Sequence, residues 1–227
     1  RMRHRTQGRL SCPLVLRTPC GAGIHPPEHH SESPDAMFAH IPGIRVVSPS
    51  SPKRAYGLLL AAIRDPDPVV FLEPTRLYRL FKEEVTDIGE ALPLDACFTL
   101  REGTDLTLVS WGAMVYETLQ AADELAEQGI AAEVIDVATL KPIDFDTILA
   151  SVARTGRCVV VTKAPRHCSI ASEIAATLAE YGLLTLLAPV VRVTAPDVVV
   201  PLPRLEPFYL PGKKQILAAV KKVLEFS

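Results

Sequence analysis

Two α/β domains built on parallel or mostly parallel sheets are what this sequence predicts, and three observations predict them. Short apolar runs of strand length alternate with stretches that carry apolar residues at helical spacing. The runs are apolar at successive positions, so both faces are to be buried, which is the habit of strands in parallel sheets covered by helices on each side. The alternation stops once, between residues 74 and 104, and then resumes.

The elements follow in order. "PLVLR" (13–17) is a buried strand bounded by Pro and Gly signals. "SPDAMFAHI" places Ser33 where an N-cap belongs and Pro34 at the first helical position, with Met37, Phe38 and Ile41 on one face. "IRVVS" (44–48) reads as a strand, and "SPKRAYGLLLAAIRD" repeats the Ser–Pro helix start with Ala55, Leu58, Leu59, Ala62 and Ile63 at helical spacing. "VVFLE" (69–73) is the next strand. Residues 74–104, of mixed charge and without a sustained period, are expected to be the linker or crossover between domains, with the division near residue 90. "DLTLVSWG" then restarts the pattern as a strand into a turn. "AMVYETLQAADELAEQG" is a helix closed by Gly129 in the C′ position. "IAAEVID", a helix around 144–154, "CVVVTKA", a helix over 169–181, "VVRVT" and a terminal helix over 213–225 complete the chain.

Composition excludes several classes. At 48% apolar and 22% charged residues the chain is globular, and no apolar run reaches the length of a membrane span. Twenty-four basic against 26 acidic residues give no field that would draw nucleic acid or an anionic membrane. Five cysteines, Cys12, Cys20, Cys97, Cys158 and Cys168, are odd in number and form no CxxC pair, which suits free thiols in a reducing compartment. There is no asparagine, hence no glycosylation acceptor. The opening "RMRHRTQGR" has the charge of a targeting peptide but is too short for one, and is expected to be a basic surface segment. No GxGxxG, P-loop, GxSxG or HExxH signature occurs.

The segment "GIHPPEHHSES" (23–33) carries three histidines and two glutamates. A metal site is one reading, but His29 and His30 are adjacent, and on an extended loop adjacent side chains point apart. A solvated loop without a role is another. A third is an active-site loop. The segment follows a strand and precedes a helix, so it belongs at the carboxyl edge of a parallel sheet, where ligands bind in such folds. Imidazole there can move a proton near neutral pH.

Five blocks together, "PLVLRTPCGAGIHPPEHHSESPDAMFAHIPGIRVVSPSSP", "LLLAAIRDPDPVVFLEPTRLYR", "REGTDLTLVSWGAMV", "VIDVATLKPIDFDTIL" and "TGRCVVV", resemble the beta subunit of thiamine-diphosphate-dependent 2-oxo acid dehydrogenases, closest to the pyruvate dehydrogenase first component. The resemblance runs over nearly the whole chain. It implies, over 1–90, the carboxyl-terminal half of a pyrimidine-binding domain with the start of the linker. Over 91–227 it implies the end of the linker and a transketolase C-terminal-type domain. It implies oxidative decarboxylation of pyruvate with an alpha subunit, and reductive acylation of the lipoyl group of the dihydrolipoyl acyltransferase. Thiamine diphosphate would be shared with the alpha subunit, which holds the magnesium, in an assembly containing a second beta subunit. Localisation would be the bacterial cytoplasm or, alternatively, the mitochondrial matrix.

By the same resemblance His30 is the catalytic histidine, followed by Ser31, and His29 is not catalytic. A potassium ion is implied at Ala62, Ile63, Asp65 and Asp67. The residues agree with that in kind, because the last carbonyls of a helix lack intrahelical partners and carry the negative end of its dipole. A hard cation takes such oxygens, helped by a carboxylate. The alternative is that Asp65-Pro66-Asp67-Pro68 is only a turn that ends the helix.

This sequence also departs from the family. Members begin with a further stretch carrying the glutamate that activates the aminopyrimidine, and no acid here matches it, so a partial record of a longer protein is expected. "TKAPRHCSIASEI" stands where the family reads closer to HEA and a Gly-rich turn, and Leu187 stands where an acid is frequent. Three alternatives accompany the pyruvate reading. One is a branched-chain 2-oxo acid or acetoin dehydrogenase subunit. Another is a transketolase or deoxyxylulose-phosphate synthase. The last is a non-catalytic assembly and docking module formed by the bare fragment.

Overall fold

The computed structural model describes residues 1–226. After a short helix α1 (Met2–Arg5), the first half runs β1 (Val15–Cys20), the turn α2 (Glu28–Ser31), α3 (Asp35–Ala39), β2 (Arg45–Val47), α4 (Pro52–Arg64) and β3 (Val69–Pro74). A 3₁₀ turn at Thr75–Arg79 leads to β4 (Phe98–Arg101). The second half runs β5 (Leu106–Ser110), α5 (Met114–Glu127), β6 (Ala132–Asp136), β7 (Thr139–Lys141) and α6 (Phe145–Thr155). It continues with β8 (Cys158–Pro165), α7 (Ile170–Tyr181), β9 (Val191–Ala195), α8 (Glu206–Tyr209) and α9 (Lys213–Leu224).

Two sheets result, with strand orders β1-β3-β2-β7 and β4-β6-β5-β8-β9. In the first, β1, β3 and β2 are parallel, and Cys20 stands opposite Pro74 at the carboxyl end. In the second, β6, β5, β8 and β9 are parallel. The two antiparallel members, β4 against β6 and β7 against β2, are the strands that periodicity misses. β7 (TLK) and β4 (FTLR) interleave polar and charged residues and lack the apolar run that marks the equally short β2. β4 also lies within the stretch read as irregular linker.

α4 starts as its sequence dictates: the Ser51 hydroxyl accepts the Arg54 N–H at 3.3 Å and Pro52 opens the first turn. α5 ends in a left-handed Gly129 at φ +78°. The Ser33 cap does not form. α3 begins at Asp35 with Pro34 in the cap position and no side-chain cap bond. Asp35 takes over part of that work, since its own carboxylate accepts the Ala36 N–H at 2.9 Å.

β7 comes from the second half of the chain yet hydrogen-bonds into the first sheet. The main apolar core likewise spans both sheets, uniting Val46, Val70 and Leu72 with Val109, Leu140, Ile148 and Val160. Burial on that scale, at roughly 25 cal/mol per Å² of apolar surface, fixes the two sheets against each other. No helix among the described residues is long and apolar enough to cross a membrane.

Candidate active site

Because β1, β3 and β2 are parallel, their carboxyl ends open on one edge, and the His-rich segment 21–34 leaves from there. Side chains from the second half meet it along that edge. Trp111, just past β5, donates its indole N–H to Asp35 at 3.2 Å. Lys163 of β8 donates to the Cys20 carbonyl at 3.5 Å. Arg76, on the 3₁₀ turn after β3, pairs with Glu117 of α5. Glu206 of α8 reaches the backbone N–H of Gly23 and the Nδ1 of His25. The crevice between the two sheets is thus closed by polar contacts at the strand ends, where ligands of open α/β sheets bind.

The electrostatics there are set by burial. Burial pushes the Asp35 carboxyl up, against the Ala36 and Trp111 donors that favour its ionised form. Burial pushes the Lys163 ammonium down and the Cys20 thiol up. Glu117 leaves its Oε2 buried without a hydrogen-bond partner among the described residues. The cavity enclosed by Asp35, Trp111, Lys163 and Ser48 measures only about 20 Å³, enough for one water and nothing larger.

A second cavity of about 290 Å³ lies beside the same strand ends, lined by Tyr56, Phe71, Glu73, Tyr78 and Phe81 among others. Burial pushes Glu73 up, but the Arg17 and Tyr78 donors outweigh it and hold the carboxyl below its usual range. Burial and the Glu73 acceptor raise the Tyr78 phenol to about 12.

His30 sits on the exposed turn α2 of the loop that leaves the carboxyl end of β1. Its neighbour Ser31 is buried and donates its hydroxyl to the Pro26 carbonyl at 3.1 Å, which anchors the turn. The expectation that the His29 and His30 rings point apart is corrected: their centroids are 4.0 Å apart, tilted by 46°. Residues 28–31 wind helically, so successive side chains rotate by about 100° instead of alternating. Among the described residues no group of three or more His, Cys, Asp and Glu gathers as a metal site.

The four positions tied to potassium lie elsewhere. Ala62 and Ile63 are in the last turn of α4, and Asp65 and Asp67 follow it. The Asp67 N–H donates to the Asp65 carboxylate at 2.8 Å. That carboxylate also lies 2.9 Å from Arg45, and Asp67 lies 3.0 Å from Arg3. This cluster precedes β3, so the length of a six-residue strand, about 20 Å, separates it from the His loop. The structure therefore brings Asp65 and Asp67 together but keeps both away from His30. Sequence reasoning passed over Trp111, Glu117, Lys163 and Glu206; no local motif marks them, because only the docking of the two sheets makes them neighbours.

Residues 1–80 match the family described as transketolase, pyrimidine binding domain, and residues 96–216 match transketolase, C-terminal domain. The pyruvate dehydrogenase E1 component subunit beta of Bacillus subtilis (strain 168) is 49% identical over 226 residues, covering all of this chain and 70% of the relative. This chain belongs to the pyruvate dehydrogenase E1 beta-subunit family. Subunits of the same name from Staphylococcus epidermidis (strain ATCC 12228 / FDA PCI 1200) and Staphylococcus aureus (strain N315) are 45% and 42% identical over the same spans. Among solved structures, one titled "Split gene transketolase, inactive beta4 tetramer" superimposes with a TM-score of 0.78 at 26% identity, over 94% of this chain and 67% of that one. The two matched regions contain β1–β3 and β4–β9 respectively.

Proposed function

We propose that this chain serves as the beta subunit of a pyruvate dehydrogenase-type first component. With an alpha subunit it takes part in thiamine-diphosphate-dependent decarboxylation of pyruvate and acylation of a lipoyl group on an acyltransferase. The single observation that carries this reading is the 49% identity to a subunit of that name across the whole chain. The placement of His30 on an exposed turn at the carboxyl edge of a parallel sheet supports it.

The cofactor does not fit this chain by itself. An aminopyrimidine needs a free buried carboxylate, and most acids at the strand ends are held: Asp35 by Trp111, Glu73 by Arg17 and Tyr78, Glu206 by Gly23 and His25. Glu117 is held by Arg76 through Oε1 with only Oε2 unpartnered, and Glu28 and Glu32 stand exposed. No step is therefore assigned to the cofactor through these residues. The part this chain plays is at the mouth. When the lipoyl disulfide opens, one sulfur takes the acyl group and the other leaves as thiolate, and the role we assign to the His30 imidazole is to hand that thiolate a proton. Ser31 keeps the turn in place.

Potassium at Ala62, Ile63, Asp65 and Asp67 is part of the same proposal. The α4 carbonyls suit a hard cation, and Arg3 and Arg45 compete with it for the two carboxylates. The neighbour titled as an inactive β4 tetramer supports a second reading, in which the chain without an alpha partner assembles with itself and is inactive.

The test is a holoenzyme assembled from the subunit carrying this chain and an alpha subunit, supplied with pyruvate, thiamine diphosphate and a lipoyl domain. Acylated lipoyl domain is expected. Turnover of branched-chain 2-oxo acids or acetoin in preference to pyruvate would overturn the substrate assignment.

A further inference from the structure

We infer that Glu206 is a positioning residue for the His30 loop, clamping it from the opposite half of the chain. The inference rests on the reading of His30 given above for its functional consequence, and on geometry alone for the clamp.

The loop carries one backbone conformation that needs external support: His25, a residue with a Cβ, has φ +64°, whereas the φ of +118° at Gly23 is open to a glycine. A left-handed non-glycine residue persists where the surroundings over-determine it. Glu206 provides that: its Oε1 accepts the N–H of Gly23 and its Oε2 meets Nδ1 of His25, so both carboxylate oxygens are committed to this loop. The carboxylate is 1% exposed while the His25 side chain is 57% exposed, so the anchor is the rigid partner.

A second contact reinforces the first. Ala22, also in the loop, is buried in a small apolar cluster with Ala195, Val200 and Tyr209, all from the second half. The loop is closed on itself by Gly21 N–H donating to the Glu32 carbonyl at 2.9 Å, and His30 N–H donates to the Pro27 carbonyl at 3.0 Å. Displacing residues 22–25 therefore shifts the turn that bears His30. A buried carboxylate whose two oxygens both serve one loop, at positions 181 and 183 residues away in sequence, is a device for placing that loop.

The test compares parent, Glu206→Ala and Glu206→Gln holoenzymes. The first readout is hydrogen exchange of the amides of residues 21–33, which reports the clamp whether or not the chain acylates lipoyl groups. The second is steady-state acylation of a lipoyl domain. In Glu206→Ala, exchange in 21–33 is expected to rise at least tenfold while exchange in β5 and β8 stays at the parent level. The kcat for acylation is expected to fall 10- to 100-fold with KM for the lipoyl domain within threefold of the parent. Glu206→Gln keeps an acceptor for Gly23 and is expected to recover kcat to within about fivefold. If the Ala variant does not assemble, the Gln variant decides, with a 2- to 5-fold loss in kcat and loop exchange between parent and unprotected values. Unchanged loop exchange in an assembled variant overturns the clamp. Raised exchange with parental acylation overturns the functional consequence. A parent holoenzyme that never acylates lipoyl, with exchange still raised in the variant, instead removes the reading of His30 and leaves the clamp standing.

Discussion

Lys163 lies directly beneath Gly21, with its ammonium 3.5 Å from the Cys20 carbonyl. A Cβ at Gly21 would overlap the end of the Lys163 side chain, whose Cδ is 3.1 Å away, and Gly21 holds φ +83°. Gly21→Ala therefore combines a left-handed backbone cost with overpacking, and is expected to destabilise by about 2–4 kcal/mol. Lys163→Ala should relieve the overlap. In a double-mutant cycle by denaturant unfolding, the pair is expected to cost less than the sum of the singles by about 1 kcal/mol or more. Additive costs would mean that the two residues do not meet.

Asp136 gives a pH-dependent signature. It is fully buried at the end of β6, accepts the Ser50 hydroxyl and the Ala138 N–H, and burial raises its carboxyl to about 6 from an ordinary 3.8. Because the folded value lies above the unfolded one, the native state holds the proton more tightly through that window. Its contribution is thus favourable below the lower value and is lost as pH rises to about 6. Asp136→Asn is expected to flatten the stability profile across pH 4–6 by up to roughly 3 kcal/mol. Thermal melts of the two proteins across that range would show it; parallel profiles would contradict it.

Gly103 is fixed by backbone. A Cβ there would collide with the Glu133 N and Ala132 C atoms and approach the Ala131 carbonyl oxygen to 2.6 Å. None of these can swing away as a side-chain tip can, so the β4–β5 connection must move off β6. Gly103→Ala is expected to cost at least about 2 kcal/mol, lowering Tm by roughly 5 °C or more in a domain of this size. A melt within 1 °C or so of the parent would show that the connection yields freely.

Much of the architecture was legible because long elements declare a period. α4 announced itself by its Ser–Pro start, α5 by its Gly129 end, and β5, β6 and β8 by continuous apolar runs. β4 and β7 escaped because FTLR and TLK lack the apolar run that marks the equally short β2, and Ser33 misled because Asp35 serves its own helix start. The segment around His30 could be placed at the sheet edge from connectivity. Its supports could not: Trp111, Lys163 and Glu206 are 76 or more residues from the loop positions they hold. The "TKAP" departure in sequence is where Lys163 fills the space under Gly21.

The cation proposal has a thermal test. If Ala62, Ile63, Asp65 and Asp67 bind potassium, exchanging a tetramethylammonium buffer for a potassium buffer of equal ionic strength is expected to raise Tm by roughly 5 °C. Asp67→Ala should abolish that rise. Equal melting in both buffers would leave Asp65-Pro66-Asp67-Pro68 as a turn that ends α4 and nothing more.

His30 is the residue on which the proposed lipoyl acylation turns. The decisive measurement is single-turnover acylation of a lipoyl domain by holoenzyme carrying His30→Ala, with His29→Ala as its control. The expected result is a loss of about a hundredfold or more for His30→Ala, the scale of positioned proton transfer, with His29→Ala within a fewfold of the parent. Parental acylation by His30→Ala in a folded, assembled enzyme would contradict the assignment.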